Sequence, residues 1–83
     1  MPTITGTVER DAKPLGGAYV RLLGPSGEFV AEEYTPDDGR FTFHVVDGTW
    51  TLEVRAANSE TARQEVGVTG ADETLQVELM RAG

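Results

Sequence analysis

From Thr3 to Leu79 short runs of alternating apolar and polar residues are separated by clusters of turn residues, and no stretch of useful length carries a helical period. The strongest signal lies between Asp38 and Ala56, DGRFTFHVVDGTWTLEVRA. There Phe41, Phe43 and Val45 alternate with Thr42 and His44, while Trp50, Leu52 and Val54 alternate with Thr51, Glu53 and Arg55. Between the two runs stands Asp47-Gly48, a dipeptide favoured in two-residue turns with positive φ. The spacing predicts a β-hairpin pairing Val45 with Trp50, Phe43 with Leu52 and Phe41 with Val54. Side chains alternate along a strand, so these apolar residues share one face of the ribbon and need a second layer to cover them.

The rest of the chain supplies that layer. Ile4, Gly6 and Val8 alternate with threonines and predict a first strand. Glycine weakens a strand unless a bulky group sits against it, and Trp50 or Phe43 is the expected partner of Gly6. Arg10 to Gly17 reads as a polar connection, and Ala18, Val20 and Leu22 mark a second strand. A third, from Glu28 to Thr35, has no cleanly apolar face; it reads as an edge strand, protected from pairing by Glu32 and Glu33. After the hairpin come a weaker strand over Ala62–Val68 and a clean one through Leu75, Val77 and Leu79, with Arg81–Gly83 expected to fray. Short strands punctuated by turns predict an all-β sandwich of about seven strands.

Composition narrows the function more than the fold. At 83 residues the chain has material for one core. Fourteen acidic residues against seven basic ones give a net charge of −7, a surface that repels nucleic acid and anionic lipid. The absence of cysteine excludes a disulfide framework and a thiolate zinc site, and favours a reducing compartment. No apolar run approaches the ~20 residues that span a bilayer, and Met1-Pro2-Thr3 runs into a strand pattern without a signal peptide. A cytoplasmic protein without membrane or nucleic-acid contact is the expectation.

Four segments carry a resemblance. Ile4-Thr5-Gly6-Thr7-Val8, Lys13 to Leu22, Asp38 to Phe43 and Asp47 to Leu52 resemble the carboxypeptidase regulatory-like domain. The resemblance implies a seven-stranded Greek-key sandwich of the transthyretin (prealbumin) type over residues 1–83. More narrowly, Gly17 to Leu23 followed by Gly27 to Glu32 is similar to a family of short uncharacterised actinobacterial proteins. Their genes often lie near thiosulfate sulfurtransferases. Fold similarity carries little chemistry, because one fold hosts many functions.

The candidate chemical groups are few. His44, the sole histidine, falls on an outward strand position, and neither Ser26 nor Ser59 sits in a nucleophile-elbow sequence. Asp37, Asp38 and Asp47 are loop oxygen donors, but the repeating acidic ladder of a calcium loop is missing and aspartate before glycine has an ordinary turn role. Lys13 and Asn58, the sole lysine and asparagine, fall in expected loops and not on core strands where an isopeptide bond forms. Trp50 reads as core, with its indole N–H on a backbone carbonyl, or as a sugar-stacking platform assisted by Tyr19 or Tyr34. The chain ends Leu79-Met80-Arg81-Ala82-Gly83, unlike the C-terminus of the hydroxyisourate hydrolases that share the transthyretin fold. No catalytic residue, cofactor or metal ligand is assigned.

Tyr19, Leu23, His44 and Val46 fall on outward faces, and Val30 with Tyr34 can join them. If the strands bearing them adjoin, they form an apolar patch for a protein partner or a second copy of the chain. The sequence therefore reads as a non-catalytic binding module for protein, with carbohydrate or small-ligand recognition by aromatics and loop carboxylates as the alternative.

Overall fold

A computed structural model describes all 83 residues. It contains eight strands and no helix: β1 (Thr3–Arg10), β2 (Lys13–Pro14), β3 (Tyr19–Leu23), β4 (Phe29–Tyr34), β5 (Arg40–His44), β6 (Gly48–Arg55), β7 (Ala62–Val68) and β8 (Glu73–Leu79). They form two four-stranded sheets packed face to face. In the first, β1 pairs in parallel with β8 along one edge, and its other edge is shared by β5 and the short β2, both antiparallel. The second is antiparallel in the order β4-β3-β6-β7. The expected edge strand is at the edge. The additional strand is β2, two residues hidden in what reads as a polar connection.

The expected central hairpin does not form. β5 belongs to the first sheet, where Phe43 stands opposite Ile4, and β6 to the second, where Leu52 lies between Leu22 and Gln64. Val45–Asp47 carries the chain from one sheet to the other. The apolar residues of both runs are nonetheless buried: Phe41, Phe43, Val45, Trp50, Leu52 and Val54 all belong to one core cluster. They point toward each other from opposite layers instead of lying side by side. Each apolar face thus covers the other, which a lone hairpin cannot achieve.

The crossing is pinned by polar groups. Asp47 does not adopt positive φ; its Oδ1 instead accepts from the Gly70 amide at 2.8 Å, tying this crossing to the one between β7 and β8. The Trp50 indole N–H donates to the Val46 carbonyl at 3.0 Å, as a buried tryptophan requires. The two-residue turn with positive φ at both positions is found elsewhere, at Asp11 (φ 54°) and Ala12 (φ 63°), between the paired residues Arg10 and Lys13. The chain end is held as well. The Arg81 guanidinium sits on Asp11 at 2.6 Å and the Ala82 amide donates to the Asn58 carbonyl, so the residues expected to fray are tied down.

Gly6 is explained by Phe41. A Cβ at Gly6 would lie 2.6 Å from Phe41 Cζ and 2.5 Å from the Leu75 carbonyl oxygen, so the ring occupies the space a side chain would fill. The expected partners Trp50 and Phe43 are not the ones. The ring can shift but the β8 backbone cannot yield cheaply. Gly6→Ala is therefore expected to destabilise the domain by about 2–3 kcal/mol, seen as a lower urea midpoint at unchanged slope; a wild-type midpoint would contradict the packing. Ala12 carries the opposite signature, a side chain in a left-handed conformation. Ala12→Gly should raise the same midpoint by about 0.5–1 kcal/mol of stability, and a lower one would mean that Ala12 is not strained.

Candidate functional site

On the outer face of the second sheet, strand register lines the side chains up in rows. Tyr34 stands opposite Tyr19, and Tyr19 opposite Arg55. The next row runs Glu32, Arg21, Glu53 and Arg63 across all four strands. In this second row charges alternate, with Arg21 on Glu32 and Arg63 on Glu53, each at 3.4 Å. Exposed pairs of this kind contribute at most about 1 kcal/mol each. They do leave the row with each guanidinium matched to a carboxylate.

The tyrosine row differs. Tyr19 and Tyr34 meet edge to face with centroids 4.9 Å apart, and both remain exposed, Tyr34 at 63%. Beside them opens a cleft of about 550 Å³ lined by the two rings, Arg55, Gly17, Ala57 and Thr61 among others. Gly17 takes φ 81° and a Cβ there would come within 3.2 Å of the Tyr34 hydroxyl oxygen, so the glycine gives the ring its place. Arg55 lies within salt-bridge distance of no carboxylate.

Thr35, immediately after Tyr34, holds this corner. It is buried, and its hydroxyl accepts from the Ala18 amide and donates to the Leu15 carbonyl, both at 2.9 Å. Its backbone bonds Ala18 and Gly17 in addition. One side chain thereby fixes the residues that precede Tyr19 and follow Tyr34. Sequence reading passed it over, because threonine in a proline-containing turn gives no sign of burial.

The six residues expected at an interface do not meet. Tyr19 and Tyr34 are adjacent on the second sheet, whereas His44 lies exposed on the first, opposite Thr3. Val46 is exposed on the crossing that leaves β5. Leu23 is a correction: it is buried, at 7% exposure, where the register breaks between Leu22 and Leu23. That same bulge leaves Val30 exposed without a cross-strand partner and places Phe29 opposite Leu23. Phe29 is 59% exposed, with the Arg21 guanidinium 5.4 Å above its ring. Alternation counted without the bulge assigns Phe29 to the other face, so the pattern could not find it.

The other candidate groups have structural employment. Trp50 is 8% exposed and belongs to the core, which removes it as a sugar platform. Asp38 accepts from the Arg40 amide, Asp47 from Gly70 and Asp72 from Thr3, and no three acidic or histidine side chains gather as a metal site would need. Ser59 accepts from Arg10 at 2.7 Å and bonds the Ala57 carbonyl. The outer face of the first sheet is hydroxyl-rich, with Thr5, Thr7, Thr42, Thr74 and Arg40 around a cleft of about 270 Å³. No helix is long and apolar enough to cross a membrane.

Fold and surface together define a small β-sandwich domain with an aromatic corner at one sheet edge. Residues 2–80 match the family described as a protein of unknown function (DUF1416), and the chain belongs to that family. An uncharacterised protein of Mycobacterium tuberculosis is 46% identical over 55 residues, covering 65% of this chain and 55% of that one. An uncharacterised protein of Mycolicibacterium smegmatis is 47% identical over 57 residues, covering 68% and 61%. The matches thus span little more than half the length of these curated relatives. Among solved structures, a DUF3823 family protein from Parabacteroides merdae superposes with a TM-score of 0.76 at 15% identity, over 96% of this chain and 46% of that chain. A chain of a type II cohesin–X-dockerin complex from Acetivibrio cellulolyticus superposes with a TM-score of 0.75 at 23% identity, over 98% and 58%. At those identities the likeness establishes the sandwich and no more.

Thr35 supplies the test of this corner. Thr35→Val keeps the shape but leaves the Ala18 amide and the Leu15 carbonyl without their partner, and should cost about 2–3 kcal/mol. Thr35→Ser, which retains the hydroxyl, should recover most of it in urea denaturation. Equal midpoints for the two variants would show that the hydroxyl does not hold the corner.

Proposed function

We propose that this chain is a non-catalytic protein-interaction module that docks through the aromatic corner of its second sheet. The observation that carries the reading is the Tyr19–Tyr34 pair, two contacting aromatic rings left exposed beside an unpaired sheet edge. Tyrosine suits such a role, since it combines a large apolar face with a hydroxyl and loses little conformational freedom on binding. Phe29 and Val30 are exposed on the same edge strand but form a second apolar spot, separated from the tyrosines by the Arg21–Glu32 pair. One structural neighbour is itself a chain of a cohesin–X-dockerin complex, which is compatible with this role.

The partner is another protein or a second copy of the chain. Carbohydrate binding fits less well. Trp50 is internal, Asp38 and Asp47 bond backbone amides, and the two tyrosine planes meet at 62° and so present no continuous two-ring platform. The resemblance to carboxypeptidase regulatory-like domains, the neighbourhood of sulfurtransferase genes and a reducing cytoplasmic setting belong to the same proposal; the absence of cysteine supports the last.

The experiment compares wild type with the Tyr19→Ser/Tyr34→Ser double variant as baits in lysate capture, together with sedimentation equilibrium of both. Proteins retained by wild type and lost by the variant, or self-association lost in the variant, are expected. Identical captured sets and monomeric behaviour in both chains would contradict the proposal.

A further inference from the structure

Two neighbouring rows on the outer face of the second sheet differ in how their charges are matched. In the row Glu32–Arg21–Glu53–Arg63, Arg21 has an acidic residue on each neighbouring strand, and each guanidinium has a carboxylate at 3.4 Å. One row further on, Arg55 has Tyr19 as its neighbour on β3, and Thr61 precedes the first residue of β7 on its other side. The chain has fourteen acidic residues for seven basic ones, yet none of them lines the cleft beside Arg55. Of the other arginines outside that row, Arg81 lies on Asp11 and Arg10 on the Ala57 carbonyl and Ser59. Arg40, in the threonine-lined cleft of the first sheet, likewise has no carboxylate partner. Of these two unpaired guanidinium groups, only that of Arg55 lies beside exposed aromatic rings.

The cleft is a shallow depression of about 550 Å³, open to solvent, which suits an extended segment lying on the surface more than an enclosed small ligand. Its lining combines three small residues, Gly17, Ala56 and Ala57, with the Tyr19–Tyr34 pair. A guanidinium offers several donors in a planar fork and binds carboxylates well. The adjoining rings accept an apolar group. The row ends at Tyr34 on the unpaired edge of β4, and the charged Glu32–Arg21 row separates it from Phe29 and Val30 further along that strand.

We infer that the cleft takes an acidic segment of a partner protein, with a carboxylate on Arg55 and an adjacent apolar or aromatic side chain against Tyr19 and Tyr34. The inference rests on the docking corner proposed above and names the chemistry of what docks there. The acid missing from the tyrosine row is supplied by the partner. The net charge of −7 repels an acidic segment at long range, so the local contacts at Arg55 and the two rings have to outweigh that repulsion.

The test is a titration of the isotope-labelled full chain, followed by amide resonances, with the blocked peptide acetyl-Glu-Leu-Glu-Phe-Glu-amide and its glutamine counterpart. The acidic peptide is expected to shift the amides of Tyr19, Tyr34, Arg55 and Thr61 and to bind about fivefold more tightly than the glutamine peptide, less so at high salt. Arg55→Gln should abolish that preference while leaving the urea midpoint unchanged, since Arg55 is exposed and carries no ion pair. Equal affinity for the two peptides, or a preference that survives Arg55→Gln, would overturn the acidic assignment while leaving the tyrosine corner as a docking surface. Shifts confined to other residues, or none from either peptide, would overturn the inference outright. Equal displacement by free N-acetylglutamate at the same concentration would make this a small-carboxylate site and overturn the partner-segment reading.

Discussion

Two apolar faces, each carried by one short strand, have to be removed from water together. Phe41, Phe43 and Val45 come from one side of the crossing at Asp47, and Trp50, Leu52 and Val54 from the other. Neither set can be buried by its own strand. Placing β5 in one sheet and β6 in the other lets each act as the cover of its sequence neighbour, and a chain of 83 residues has little other surface to offer. The remaining strands extend the two layers around that contact. Burial of a single Leu or Phe contributes about 1.5–3 kcal/mol, so this paired burial exceeds anything the exposed ion pairs supply.

Once the layers are set, the exceptions to regular pattern acquire causes. Gly6 lacks a side chain because the Phe41 ring and the backbone of β8 fill its place. Asp47 bonds Gly70 and thereby joins two crossings at one end of the sandwich, while Thr35 joins a crossing to the β2–β3 loop. These polar groups sit where the chain changes sheet. A regular ladder cannot satisfy the backbone there, so side chains do it.

Most strands and the identity of the core were legible in sequence, because alternation reports burial directly. The pairing of β5 with β6 was not. A hairpin with all its apolar residues on one face and an arch whose two apolar faces oppose each other have the same binary pattern. Asp-Gly favours a tight reversal in isolation, and tertiary burial outweighs that local preference. The positive-φ turn went instead to Asp11-Ala12, a pair with no glycine to mark it. The surface was legible only in part. Tyr19 and Tyr34 follow from alternation, but Phe29 became visible only through the bulge at Leu22/Leu23, and Arg55 only through the row that register creates. His44 was separated from the tyrosines by the same crossing that dissolved the hairpin.

That crossing is also where the architecture is most open to test. Interstrand nuclear Overhauser contacts between backbone protons read sheet membership without reference to side chains. If β5 and β6 lie in opposite layers, backbone contacts will join Phe43 to Ile4 and Leu52 to Leu22. Backbone contacts joining Phe43 directly to Leu52 would restore a hairpin and contradict the architecture from which the tyrosine row and its arginine follow.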